Sequence, residues 1–389
     1  MNTPPRDIPS LPLPQSALQD RLPIALPLLP SAEAVAPYLR RMDAARRYSN
    51  HGPLVRELEA RLAFGFGVPA GSVIACANGT LALGAAITAA RAFRPRPGRT
   101  LCLVPAYTYV ATAAAAQAAG LSLHIVDVDA QSWALDPQAL RSHPRLEEVA
   151  VVVPVAPYGR APDLEAWAQF AEDTGIAVAI DGAACFEWFC AEARQVPPGL
   201  PVAVSLHATK SFGCGEGGLV VASDTDTMRA VHAALNFGFL GTRIAQTPGI
   251  NGKMSEYHAS VAHAELDGWA AKAATWSQVA QSWREGSSAI HSAPKLAVCY
   301  ALYQAVSPEA AAHLVSQLDQ AGIDSLFWYG GGIAQHPAYA DWPSDPLPNT
   351  TSLCQTLIGL PSFVDLPRDR ILGVLQEVII PAEAQGERH

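Results

Sequence analysis

The chain has 389 residues, of which half are hydrophobic and 16% are charged, with a formal net charge of −9. This composition supports a large core and excludes general disorder, and the length suits two or three domains or one large domain with an appendage. The acidic balance, without long runs of Lys or Arg, argues against a nucleic-acid surface, which is usually basic.

The first 30 residues, Met1 to Pro30, form a proline-rich extension whose apolar residues are interrupted at Pro9, Pro12, Pro14, Pro23, Pro27 and Pro30. It lacks the basic start and uninterrupted apolar core of a signal peptide. No apolar run approaches the roughly 20 residues that span a bilayer. A soluble, cytoplasmic protein is the expectation. The seven cysteines are scattered and form no CxxC. They read as reduced cytosolic thiols, and no metal site is expected.

From Ser31 to Phe64 two helices are predicted, broken at Tyr48-Ser49-Asn50-His51-Gly52-Pro53; Leu54, Leu58 and Leu62 recur at helical spacing. Ser72 to Cys76 is a short strand candidate. Asn78-Gly79-Thr80 then turns it into an alanine-rich helix from Leu81 to about Ala92. Strands are predicted over Thr100–Val104, Leu121–Val126, Val149–Val155 and Ile176–Ile180, with helices over Val110–Ala119 and Asp163–Asp173. Strands apolar on both faces and separated by helices imply a parallel sheet covered on both sides.

After Ala222 the pattern turns helical, over Thr225–Leu235 and Ser255 to about Ser287, with a glycine-containing loop between. From about Pro294 a smaller α/β unit is expected: a strand at Leu296–Ala305 and helices at Ser307–Ala321 and Arg368–Val378. Gly330-Gly331-Gly332 and the prolines from Pro337 to Pro348 mark loops. The predicted organisation is an extension at 1–30, a large domain at 31–250, a long connecting helix at 251–290 and a small domain at 291–389.

Ligands in such sheets bind at the carboxyl ends of the strands. Four features fall there: the Asn78-Gly79-Thr80 turn, Tyr109, Asp181, and the stretch from Ser205 through Lys210 to Gly218. A strand, a small polar turn and a helix N-terminus favour an anion such as phosphate, and are equally an ordinary capped helix. Asp181 could hold a protonated pyridine nitrogen or simply cap a loop. Tyr109 could stack on a cofactor ring or be core, and Ser205 could bind phosphate. Lys210 sits in a polar turn with a glycine-rich return. It is either a solvated loop lysine or an amine that forms a Schiff base with pyridoxal phosphate (PLP). His207 and Glu216 read as structural, and Cys185 and Cys190 as packing residues.

The motifs Ser49–Val55, Asn78–Leu83, Thr108–Thr112, Val126–Asp129, Pro157–Gly159, Ile180–Ala183, Ser205–Gly218, Asn251–Glu256 and Leu360–Ser362 occur in this order. Over about residues 35 to 380 the sequence thereby resembles the DegT/StrS family of PLP-dependent sugar aminotransferases. The resemblance implies fold type I, a mostly parallel seven-stranded sheet sandwiched by helices with a smaller α/β C-terminal domain. It implies that Lys210 is the Schiff-base lysine and catalytic base, Asp181 the pyridine-nitrogen partner and Tyr109 the stacking aromatic. Thr80, the Leu81 backbone and Ser205 would form the phosphate cup. Asn251 or Lys253 would be lent by the neighbouring subunit of a homodimer. The implied reaction is ping-pong transfer from glutamate to a keto group of a nucleotide-linked deoxysugar. Amination of a non-sugar ketone or aldehyde, or a non-catalytic PLP-binding role, are the alternatives. The chain departs from the family's pattern at Ala184, where a His or Gln is usual; at Ala156-Pro157, where a His often precedes Tyr-Gly; and at Lys253, where Arg is common.

Overall fold

A computed structural model describes residues 21–191 and 195–382. The predicted apolar runs form β1 (Val73–Cys76), β2 (Leu101–Pro105), β3 (Ser122–Val126), β4 (Val149–Val152), β5 (Ala177–Val178), β6 (Ile180–Asp181), β7 (Val202–Ser205) and β8 (Gly218–Val221). They pair in the orders β3-β2-β4-β5 and β6-β7-β8-β1. Only Ala179 separates β5 from β6, and Val155 bridges to Asp181, so the two halves join as one sheet of seven strand positions. All pairs are parallel except those of β8, which runs antiparallel to both β7 and β1.

Alternation along the strands feeds two cores. Val73, Ala75, Leu101 and Leu103 face one, with Leu54, Leu58, Trp167 and Phe186. Ile74, Cys76, Cys102 and Val104 face the other, with Leu83, Ala86, Ala113 and Val231. The first face is covered by α1 (Ala32–Ala45), α2 (Pro53–Gly65), the later α5 (Leu164–Thr174) and α6 (Phe186–Ala191); the second by α3 (Gly79–Phe93), α4 (Ala111–Ala118) and α7 (Thr225–Leu235). The long helix α8 spans Glu256–Arg284. Its first residue, Glu256, is fully buried and accepts the Leu54 and Val55 N–H groups (2.9 Å each). Two distant sequence motifs thus meet where a carboxylate caps the N-terminus of α2.

The C-terminal unit has an antiparallel sheet, β11-β10-β9, made of Ile290–His291 (β9), Ala301–Gln304 (β10) and Leu357–Leu360 (β11). It carries α9 (Pro308–Gln320), α10 (Pro348–Thr356) and α11 (Arg368–Val374). The expected strand at Leu296–Ala305 is corrected here: only its last part pairs, and 292–300 is a succession of turns, with Lys295 N–H donating to Ser292 O and Tyr300 N–H to Ala297 O. Helix α10 was not predicted. Pro348, read as a loop marker, sits in its first turn, where the missing N–H costs nothing. Residues 22–24 pair with this unit through Leu22, Gly322, Ile24 and Ser362; residues 1–20 of the proline-rich extension lie outside the described residues. Among the described residues no helix is long and apolar enough to cross a membrane.

Candidate active site

Strand β7 ends at Ser205, and the chain returns to β8 through a turn closed by its own backbone. Leu206 N–H donates to Gly217 O, Cys214 N–H to Leu206 O and Ala208 N–H to Gly215 O, each at 2.9 Å. The Lys210 N–H donates to His207 O at 2.9 Å, which fixes the lysine at the turn's apex. Its side chain is partly buried, and Nζ donates to the Tyr300 hydroxyl at 2.9 Å. Burial alone opposes an ammonium there; Tyr300, Cys299 and Asp181 favour it, and the net effect raises the lysine above its ordinary value.

Asp181 ends β6 and is buried. Its Oδ2 accepts from Thr112 Oγ1 at 2.8 Å and its Oδ1 from the Ala183 N–H at 3.2 Å. Thr112 is itself held by Thr108 Oγ1 at 2.8 Å. Burial pushes this carboxyl up, against Thr112, Ala183 and Lys210, which pull it down. Among the described residues it forms no ion pair.

The third component lies across β7. Asn78 caps α3, its Oδ1 accepting the Leu81 N–H at 2.9 Å, which occupies one donor expected for the cup. The first N–H groups of the helix, at Gly79 and Thr80, have no carbonyl before them. Gly79 lies against Ser205: a Cβ there would fall 2.8 Å from the Ser205 Cβ, so only glycine lets the two strand ends close into a cradle. Free helix N–H groups beside a serine hydroxyl suit a phosphate. A buried carboxylate without an ion pair, an amine and this cradle together fit PLP.

Among the described residues, Tyr109, Asn251 and Lys253 form no hydrogen bond with Lys210. The Tyr109 side chain is 63% exposed, although its carbonyl accepts the Thr112 N–H that leads to Asp181. Asn251 bridges Asn236, and Lys253 bridges Cys76. The Lys253 ammonium lies 4.4 Å from the Phe237 ring centroid. There it helps depress two histidines beside a cavity of about 540 Å³ lined by Asn50, Arg56 and Arg243: burial, then His232 and Lys253, push His51 down to about 4. His207 Nδ1 pairs with Thr209 Oγ1 at 2.8 Å, and Cys185 is buried in packing.

The sequence reading missed an aromatic wall opposite Lys210. Tyr300 packs edge-on to Tyr158 (5.2 Å) and Trp328 (5.4 Å); Tyr158 stacks on Tyr329 and meets the Tyr107 hydroxyl at 2.8 Å. Tyr158 and Gly159 adopt positive φ (55° and 81°), and a Cβ at 159 would fall 2.5 Å from Ala184 O. Only the Pro157-Tyr158-Gly159 motif signalled this wall. Tyr300, Trp328 and Tyr329 come from turns of the small unit that carry no local pattern. The side chain of Ala184 joins the core cluster of that unit, and the Ala156 N–H donates to Asp181 O at 2.9 Å.

Comparison with known proteins agrees with this geometry. Residues 31–379 match the DegT/DnrJ/EryC1/StrS aminotransferase family. Protein Rv3402c of Mycobacterium tuberculosis is 27% identical over 383 residues, covering 94% of this chain and 91% of its own. A dTDP-4-amino-4,6-dideoxy-D-glucose transaminase of Shigella dysenteriae is 30% identical over 244 residues, 63% of this chain and 64% of its own. The crystal structure of DesV from S. venezuelae superposes with a TM-score of 0.76 at 25% identity, covering 90% of this chain and 95% of its own. The chain is an aminotransferase of fold type I and belongs to the DegT/DnrJ/EryC1/StrS aminotransferase family.

Proposed function

We propose that this enzyme uses PLP to move an amino group from glutamate to the keto group of a nucleotide-linked deoxysugar, in two half-reactions at one site. The carrying observation is the convergence of three groups at neighbouring strand ends: the Lys210 amine, the buried Asp181 carboxylate and the Ser205–Gly79 cradle. When bound, PLP supplies an electron sink for charge developing on the substrate carbon. Asp181 would hold a protonated ring nitrogen, with Thr112 and the Ala183 N–H fixing its orientation. The Gly79 and Thr80 N–H groups and Ser205 would hold phosphate, the Leu81 N–H expected there being taken by Asn78. Lys210 would hold the cofactor through Nζ and serve as the base and acid that moves one proton at the reacting carbon. The sugar substrate follows from the family and from the Shigella relative's name, and the donor from the resemblance of the motifs.

The same reading makes the enzyme a cytoplasmic homodimer, in which Asn251 or Lys253 completes the site across the subunit boundary and Tyr109 would stack on the cofactor ring. Its support is a patch of exposed Tyr48, Phe237, Ile244, Ile250 and Tyr257 around the 237–257 segment. Light scattering of the purified protein tests it, a monomer at micromolar concentration being the contrary result.

The function is tested by following the visible absorbance of the PLP-loaded protein while amino donors are added. Glutamate should bleach the band, and a nucleotide-linked ketosugar should restore it with release of an aminosugar. A spectrum unmoved by every donor sinks the reading. Restoration by a cyclitol ketone but by no nucleotide sugar transfers it to the non-sugar alternative.

A further inference from the structure

We infer that Tyr300 is a catalytic residue: its hydroxyl is the standing partner of the Lys210 amine, accepting from the ammonium and donating to the free amine as the lysine takes up and returns its proton. This rests on the aminotransferase reading above and adds a residue that the sequence motifs do not include.

The contact is direct, 2.9 Å between Nζ and the phenol oxygen. Nζ lies 5.5 Å from the ring centroid, so the lysine meets the hydroxyl rather than the ring face. The other groups facing the amine cannot follow both of its states. Asp181, as a carboxylate, only accepts, and so favours the ammonium alone. Burial pushes the Cys299 thiol up to about 12 and the Cys185 thiol upward as well, so both are neutral and weak partners at working pH. A phenol both donates and accepts, and it reverses its role by rotating one O–H bond. In the step itself a substrate C–H bond breaks and an N–H bond forms at Nζ; on return that N–H breaks and a new C–H forms. Tyr300 keeps its own proton throughout.

The phenol is also held in place. The Tyr300 backbone N–H donates to Ala297 O at 3.0 Å, and the Ala297 N–H to Tyr158 O at 2.8 Å. Two residues before it, the Val298 N–H donates to Glu187 Oε2 at 3.1 Å. Glu187 lies on α6 of the large unit, so this bond ties the Tyr300 turn to the unit that carries Lys210.

The experiment measures the Lys210 amine in the full-length, cofactor-free protein. Reductive methylation is run across a pH series and the Lys210 peptide is quantified by mass spectrometry. In Tyr300→Phe the midpoint should fall by about one pH unit, so that labelling below the midpoint rises about tenfold. Tyr329→Phe, which removes a phenol from the same wall without touching Lys210, should leave the midpoint in place. A wild-type midpoint in Tyr300→Phe, or an equal fall in both variants, overturns the inference. In the loaded enzyme Tyr300→Phe should lower kcat about 10²-fold with KM within a few fold. Lys210→Ala, run alongside, separates the two claims. If that variant still holds PLP covalently, the function proposed above fails. If it does not, and Tyr300→Phe leaves the midpoint unmoved, only the role of Tyr300 fails.

Discussion

Two aspartates follow apolar parallel strands in this chain, and the structure treats them oppositely. Asp127, after β3, is saturated with neutral donors: Asn349 N–H (2.9 Å), Thr350 N–H (2.8 Å) and Thr350 Oγ1 (2.6 Å). It caps α10 across the boundary between the large and small units. Asp181, after β6, is buried with one hydroxyl and one N–H, and among the described residues it has no ion pair. A helix N-terminus satisfies Asp127 inside the protein. Burial pushes the Asp181 carboxyl up, and a bound cation would favour its ionised form. Strand-end position alone therefore does not mark a functional carboxylate; the supply of internal donors does.

The strongest way to break this contrast is Asp181→Asn. The amide keeps the shape and can still accept from Thr112, but it cannot hold a positive ring nitrogen. Turnover should fall on the order of 10²–10³-fold, with folding stability little changed. A loss of less than tenfold in steady-state assays would place the nitrogen's partner elsewhere.

Two buried glutamates sharpen the comparison through pH. Burial pushes Glu59 and Glu187 up to about 7 from an ordinary 4.5, although Glu59 accepts the Ala75 N–H and Glu187 the Val298 N–H. Each binds its proton more tightly folded than unfolded. Its contribution is thus fully present below about pH 4.5 and is lost as pH rises to about 7. The loss is at most about 3 kcal/mol per group. Between pH 5 and 8 these falling contributions oppose the rise from His51, whose value is pushed down to about 4, so Glu59→Gln should make stability in urea unfolding rise more steeply with pH than in wild type. An unchanged slope would mean Glu59 is already ionised at pH 5.

Asp127→Ala should do the reverse of Asp181→Asn. Losing a cap and stranding the N–H groups of Asn349 and Thr350 should cost about 2 kcal/mol, read as a lower denaturation midpoint. Turnover per folded molecule should stay within a few fold, since Asp127 contacts the small unit and not Lys210.

The layered sheet, the order of its elements and the strand-end placement of Lys210, Asp181 and Ser205 were legible because apolar runs and glycine turns are local signals. The cradle was legible in part: Asn78-Gly79-Thr80 announces a helix start, but the approach of Gly79 to Ser205 depends on β1 and β7 both flanking β8. Tyr300 was not legible. It lies in turns that sequence periodicity misread as a strand, and what brings it to Lys210 is the docking of the small unit through Glu187 and Ala297, contacts more than 100 residues apart in the chain for Glu187. The stacking of Tyr109 on a cofactor ring was expected from resemblance; its side chain is exposed, and its carbonyl accepts from the Thr112 that holds Asp181.

Asp129 supplies the smallest test and the control for the others. It lies two residues beyond Asp127 in the same motif, yet it sits in a surface turn, accepting from the Gln131 N–H (3.0 Å) and the Ser132 N–H (2.7 Å). Those bonds, the Ser132 N–H foremost, outweigh partial burial and hold its carboxyl below the usual range. A lowered carboxyl stabilises the fold above its unfolded value, near pH 4, and that contribution is lost as pH falls further. Asp129→Ala should therefore cost about 0.5–1 kcal/mol at neutral pH, with a smaller difference from wild type near pH 3, measured by urea midpoints at the two pH values. Activity should not change. If Asp129→Ala instead impaired turnover as Asp181→Asn does, the number and kind of donors around a strand-end carboxylate would not be what separates structural from functional aspartates in this fold.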